Sequence, residues 1–478
     1  MGAFSGRPGQ SRGRREAALV RGEADGPGLR GGCGRKPIPL NTPPVTLPDE
    51  FPPGAREPLL LIAAAAVIGA LTGLVGVAFL RGLQIGNQLR LDLVDRLSAL
   101  PTGVGPAVFA AVGGVCAAFA AWLVCRFSPS AAGSGIPHVE TVLRGSGQPN
   151  HRLVLPVKFF GGLVALSSGL VLGREGPLVQ MGAVIGDRFG RFFTGLEDAW
   201  KPLMAAGSSA GVAAAFNAPV GATVFIVEEV LKKATPLPFT LAAAAAVASA
   251  GVQRGIFGMA EEYSAPDAVA GPITNLWVYV TLGVVLGILG VLYNRVILAL
   301  VAPRSPLKRL PAVRRALVIG VIVATVGWFL PDDVTGGDVL TEEVLSGQLG
   351  LTLLVAVALV RFVTGPLSYA AGTPGGIFAP IIALGALGGG VYGTIFHSVS
   401  PELVPSVAAF AVAGMAAFFT ASISAPLTGI VICLEMTGCY QLFLPMLAAC
   451  FGSYATSKLL RSEPIYDALA ADPKTPGT

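Results

Sequence analysis

Charge is scarce in this chain. Only 13% of its 478 residues are Asp, Glu, Lys or Arg, while 53% are hydrophobic and the mean hydropathy is +0.69; soluble domains carry about 25% charged residues. A soluble domain this apolar would precipitate, so that class is excluded. Histidine is rarer still. His138, His151 and His397 lie far apart and none belongs to an HExxH pattern, which leaves metal-assisted hydrolysis without support. The six cysteines, Cys33, Cys116, Cys125, Cys433, Cys439 and Cys450, form no CxxC pair and mostly sit in apolar runs, where they behave as small hydrophobes. Neither a disulfide framework, nor a metal site, nor a cofactor is expected. An early hydrophobic leader is also missing. The first long apolar run starts near Leu59, too far along for a cleavable signal, so the first helix is expected to remain as an anchor.

What the chain does have is glycine, 63 residues, and proline, 37. Both break water-soluble helices but suit membranes, where helices pack closely and are often interrupted. Apolar runs of roughly 17–25 residues leave room for on the order of a dozen membrane-embedded segments. The fold class is therefore an all-α polytopic membrane protein, placed as a multi-pass protein in the cell membrane. Of the net charge of +5, much comes from Arg7, Arg12, Arg14, Arg15, Arg21, Arg30, Arg35 and Lys36 in a Gly/Pro-rich stretch. Residues 1–56 read as a disordered tail held on the inner side by its charge, and no nucleic-acid partner is expected.

The chain repeats itself. AGSSAGVAAAFNAPVG at 206–221 aligns with AGMAAFFTASISAPLT at 413–428, pairing Ala206 with Ala413, Gly207 with Gly414, Ala218 with Ala425, Pro219 with Pro426, Val224 with Val431 and Glu228 with Glu435. Upstream, Gly173-Arg174-Glu175-Gly176-Pro177 matches Gly376-Ile377-Phe378-Ala379-Pro380 in its first and fifth places. Two related halves follow, 57–256 and 268–462. Duplicated halves with broken helices are a common plan for secondary transporters, with the ion site where the halves meet.

In each half the Gly-x-x-x-Pro element enters an apolar run, which suits a helix start with proline in its first turn. A helix start presents unpaired amides and about half a positive charge, so converging starts make an anion site without a cationic side chain. Partial charges hold a small anion weakly enough to release it, as transport requires. Gly133-Ser134-Gly135-Ile136-Pro137 is a third such start, where Ser134 adds a hydroxyl donor and the glycines let backbone approach the ion.

GSGIPHVE (133–140), GREGP (173–177), FNAPVGATVFIVEE (216–229), GGIFAP (375–380) and APLTGIVICLEMT (425–437) together resemble the signature stretches of the CLC family of chloride channels and chloride/proton antiporters, most closely its bacterial members. PVKFFGG (156–162) and YQLFLPM (440–446) add to the likeness, which runs from about residue 57 to 465. The resemblance implies two inverted repeats with many tilted and broken helices, and a homodimer with one pathway per subunit. By position it assigns the anion site to the Ser134 and Tyr440 hydroxyls and the backbone amides of Ile377 and Phe378. It makes Glu229 the inner proton-transfer residue, with Glu228 supporting it. It also implies a buried pair between Lys158 and Glu140.

Charged residues inside a bilayer are costly, so each calls for an account. Glu175 stands at a predicted helix start, where its carboxylate competes with chloride for the same amides. Protonation removes the charge and lets the side chain leave, so that proton binding and anion entry alternate at one locus. Family channels usually carry an apolar residue where this chain has Glu229, which favours the antiporter over a passive, gated channel. The intact GSGIP motif favours chloride over nitrate or fluoride. Arg174 is expected to make structural pairs or to face the outer vestibule, and Glu435 is expected to be structural. The expected partners are chloride, protons, the bilayer and a second copy of the chain. An enzyme is not expected, because Pro137 marks a new helix start between Ser134 and His138 and denies them one regular helix face. Residues 463–478 are expected to be a short tail, too short for paired cystathionine-synthase-like domains.

Overall fold

The computed structural model describes residues 56–101, 103–147, 152–192, 199–258, 261–347 and 349–471. Residues 1–55 of the expected tail lie outside this set. The chain separates into Met1–Pro43 and Pro44–Thr478, and everything below concerns the second unit.

The described residues form helices and isolated bridges, with no strand among them. Eight helices fill the first half: α1 (Arg56–Ser98), α2 (Val104–Phe127), α3 (Ile136–Leu143), α4 (Val154–Ser167), α5 (Glu175–Phe192), α6 (Trp200–Phe216), α7 (Pro219–Phe225) and α8 (Pro236–Phe257). Eight more fill the second: α9 (Leu276–Val301), α10 (Ala312–Phe329), α11 (Asp338–Leu345), α12 (Leu351–Ala370), α13 (Phe378–Val399), α14 (Val407–Ile423), α15 (Pro426–Thr437) and α16 (Phe443–Leu459). A short α17 (Ile465–Ala470) closes the fold. The two series correspond in detail. The eight-residue helices α3 and α11 both follow a left-handed glycine, Gly135 and Gly337. Helices α6 and α14 are 17 residues each and end in left-handed Asn217 and Ser424, a polar substitute for the usual glycine stop. Helices α7 and α15 both begin on a proline, which needs no hydrogen-bonded amide there.

Among the described residues, seven helical segments are long and apolar enough to cross a membrane. Large apolar side chains such as Leu59, Phe160, Val247, Leu359 and Phe451 are exposed on the outer faces, the pattern of a surface solvated by lipid rather than water. Helices α6 and α14 are apolar all round and buried along almost their whole length, as core helices must be. Glycine lets their neighbours reach them. A methyl group on Gly207 of α6 would stand 2.1 Å from the Gly182 carbonyl of α5, and one on Gly414 of α14 would stand 2.3 Å from the Gly385 carbonyl of α13. Close approach of this kind is how helices gain packing energy where lipid removes the hydrophobic drive between them.

Segment 463–471, expected as part of a tail, belongs instead to the fold. Pro464 sets the start of α17, and Ile465 and Tyr466 are buried completely, so the last turn packs against the core rather than leaving it.

Candidate functional site

The three glycine-rich starts are stitched together by backbone. Gly133 N donates to Thr373 O at 3.0 Å and Gly375 N to Gly133 O at 3.1 Å, while Gly173 and Gly376 exchange two bonds at 2.7 and 2.8 Å. These pairings bring the first turns of α3, α5 and α13 to one place. The amides at a helix start have no partner within the helix, so a cluster of donors faces this junction.

Ser134, Glu175, Ile377 and Phe378 are all buried there, at 1% exposure or less. Gly176 packs on Ser134 so closely that an added methyl would lie 2.6 Å from its Oγ. The Glu175 carboxylate folds back over Gly173, where a methyl would stand 2.1 Å from Oε2, and lies beside Gly376. It faces its own amide and that of Ala379, yet neither oxygen makes a hydrogen bond of ordinary geometry. Ser134 Oγ has no partner either. Behind this loop Lys158, buried, donates from Nζ to the carbonyls of Gly133 at 2.6 Å and Ser134 at 3.1 Å. That turns the Ser134 loop so that its amides and hydroxyl point away from the lysine. Lys158 therefore orders backbone, and the expected pair with Glu140 is replaced: Glu140 bonds Arg144 of its own helix. Phe378 is held by rings on three sides, with centroids 4.7 Å from Phe216, 5.8 Å from Phe225 and 4.5 Å from Phe419.

Arg174 points away from the junction. Its guanidinium bonds Ala215 O at 3.2 Å, Asp338 at 3.0 Å and Glu262, and Tyr263 completes the group by donating to Asp338. Arg174, Glu262 and Asp338 wall a cavity of about 440 Å³ that reaches Glu175 and Ala379.

Glu228 and Glu435 form a reciprocal pair. Glu228 accepts the amides of Leu427 and Thr428 and the Thr428 hydroxyl, at 3.2, 2.7 and 2.7 Å. Glu435 accepts the amides of Val220 and Gly221, at 3.1 and 2.6 Å. Each half thus satisfies the opening amides of a helix in the other, α15 and α7 respectively. Glu229, its neighbour, sits in a π turn over Ile226–Leu231, is 3% exposed, and leaves Oε1 without a partner. The wider turn separates the two roles: Glu228 is committed to backbone and Glu229 is not.

Tyr440 is not brought to this place. The left-handed Gly438 ends α15 and turns the chain outward, leaving Tyr440 67% exposed beside Glu261, Ser264 and Gln441 on a separate hollow. The tyrosine that does arrive is Tyr466 of α17. It is fully buried, its hydroxyl lies beside the Ser134 side chain without a hydrogen bond of ordinary geometry, and it is within electrostatic reach of both Glu175 and Glu229. Sequence reasoning missed it; the signal available was Pro464-Ile465-Tyr466, a helix start followed at once by two apolar residues. His138 contacts Gln180 at 3.2 Å and makes no hydrogen bond to Ser134.

A family model described as Voltage gated chloride channel matches residues 113–458. The H(+)/Cl(-) exchange transporter ClcA of Vibrio parahaemolyticus is 34% identical over 429 residues, covering 88% of this chain and 91% of that protein. The transporter of the same name from Yersinia pestis is 35% identical over 428 residues, covering 87% and 88%. Among solved structures, a slow cyanobacterial Cl-/H+ antiporter superposes with a TM-score of 0.81 at 30% identity, over 86% of this chain and 97% of that one.

Proposed function

This chain belongs to the CLC family and has its fold of two inverted repeats, and from that premise we propose that it exchanges chloride for protons across the cell membrane. The observation that carries the reading is a group of buried oxygens without partners, on Ser134, Glu175 and Tyr466, where three helix starts meet. Buried polar atoms left unsatisfied call for a ligand or a moving group. Here both are available. First-turn amides of α13, including Phe378, with the Ser134 and Tyr466 hydroxyls, form a neutral cage for a halide. Ile377 caps that helix and adds its amide. Glu175 supplies the moving group.

Ionised, Glu175 occupies the amides and excludes chloride from them. Protonated, it loses its attraction to the helix start and yields the position to the anion. Glu229, unpaired on one oxygen, exchanges protons with the opposite side, and Glu228 supports it by fixing the π turn through α15. The sidedness follows from charge. Arg144 and Lys232 lie on the Glu229 side, whereas Glu261, Glu262 and Asp338 line the approach to Glu175. Cationic residues mark the cytoplasmic face, so Glu229 faces inward and Glu175 outward. Residues 57–256 and 268–462 form the two repeats, and two copies of the chain form the working unit.

Flux from reconstituted liposomes tests this. A chloride gradient should drive protons uphill in the native protein. Glu175→Gln should abolish proton movement, and Glu229→Gln should abolish it while chloride still passes. Chloride flux with no accompanying protons in the native protein would overturn the exchange reading in favour of a channel.

A further inference from the structure

The inner side of the pocket is closed by α17, which buries Ile465 and Tyr466 and is tied to its neighbours by the carboxylate of Asp467. Asp467, next to Tyr466, accepts a hydrogen bond from Arg144 at 2.9 Å and another from Lys232. Arg144 is the residue that ends α3, the helix led by Ser134, and Lys232 is the left-handed residue that ends the π turn carrying Glu229. Asp467 thus joins α17 to both of the other elements, those bearing Ser134 and Glu229, through one carboxylate, and Lys232 adds a longer contact to Glu140.

The same atoms set the charge around Glu229. Arg144 also bonds Glu140, and Lys232 lies 3.9 Å from Glu140. Glu140 is buried, with Oε2 unpartnered, and lies within electrostatic reach of Glu229, as do Lys232, Asp467 and Glu228. Glu228 is already held by α15. Three carboxylates, Glu140, Glu229 and Asp467, thus share two cations. Asp467 draws both cations to the protein rim; without it, both fall to Glu140 and Glu229.

We propose that Asp467 is a positioning residue that couples the two ion steps: its ion pairs pin Tyr466 against Ser134 and keep Arg144 and Lys232 from neutralising Glu229. Opening the pocket inward requires α17 to shift, which breaks those pairs and hands the cations to the inner proton carrier. This rests on the exchange reading above and adds to it a residue that touches neither ion.

The test is Asp467→Asn, a substitution of equal size, in liposomes where chloride and proton fluxes are recorded together, with Asp467→Glu alongside. The expected result is a proton-to-chloride ratio lowered at least about threefold, the population shift that loss of two half-exposed ion pairs produces, with chloride flux raised and with the Glu variant restored toward native values. An unchanged ratio and flux in Asp467→Asn overturns the pin. So does an equal fall of both fluxes in the Asn and Glu variants together with lowered thermal stability, which marks a merely structural contact. Should Asp467→Asn fail to fold, Asp467→Ser removes the carboxylate while keeping both cations, and the same shift in ratio supports the pin while an unchanged ratio overturns it. If the native protein itself moves no protons, the exchange reading fails, and the pin is then judged on chloride flux alone: a rise in Asp467→Asn supports it and no change overturns it.

Discussion

Gly173, Gly176 and Gly376 have no side chain, and that is how they act. A methyl on any of the three would press on Glu175, Ser134 or the neighbouring backbone, so the competitor carboxylate and its helix starts fit only without them. Two tyrosines give the sharper residue-scale test. Tyr466 is buried beside Ser134 and Tyr440 is 67% exposed elsewhere. Tyr466→Ala should weaken chloride binding about tenfold, the loss of one hydrogen bond to a charged group, whereas Tyr440→Ala should leave it unchanged; calorimetric titration with chloride reads both. The glycine motifs were legible in the sequence because each acts through its immediate neighbours in the chain. Tyr466 was not, since its role arises only when a six-residue helix docks on residues more than 300 positions earlier. Tyr440 drew attention by following a recognisable stretch, and Gly438 then carried it out of the pocket.

At the scale of elements, the reciprocal carboxylates at Glu228 and Glu435 replace the N-caps that α15 and α7 lack in their own sequence, where Ala425 and Ala218 precede the prolines. Removing such a cap costs about 0.5–2 kcal/mol. Glu435→Ala should lower stability to denaturation in micelles by about 1 kcal/mol, and Glu228→Ala by more, because it loses three bonds rather than two. The repeat was visible from Ala206 and Ala413 onward, and it placed Glu228 opposite Glu435. That the two would cap each other's halves could not be read, because a sequence repeat does not state which copies touch. Lys158 illustrates the same limit: its charge and depth were apparent, but its choice of two carbonyls over Glu140 depends on how the Gly133 loop turns.

For the molecule as a whole, the pin at Asp467 fixes a pH range. Partial burial alone would raise its pKa, but hydrogen bonds from Lys232 and Arg144, and their charges, outweigh this and hold the carboxyl below the ordinary range. A carboxylate whose folded value is depressed lends its stability above its unfolded value, about 3.9, and loses it as pH falls through the folded value. Docking of α17 should therefore stay constant from about pH 8 to about pH 5. Hydrogen exchange of Ile465–Ala470, corrected for intrinsic rates, should show level protection across that range, and a loss of protection near neutral pH would contradict it. A change of flux with pH inside that range would therefore arise at other carboxylates and not at the Asp467 contact.

The stitching of Gly133 to Thr373 and Gly375, and of Gly173 to Gly376, also bears on how the protein is made. Its conduit is assembled from segments that leave the ribosome far apart in time, and Tyr466 emerges last of all. A nascent chain already threaded into the bilayer therefore has no joined anion site until Thr373–Gly376 have been added, and the inner closure of that site comes only with Tyr466.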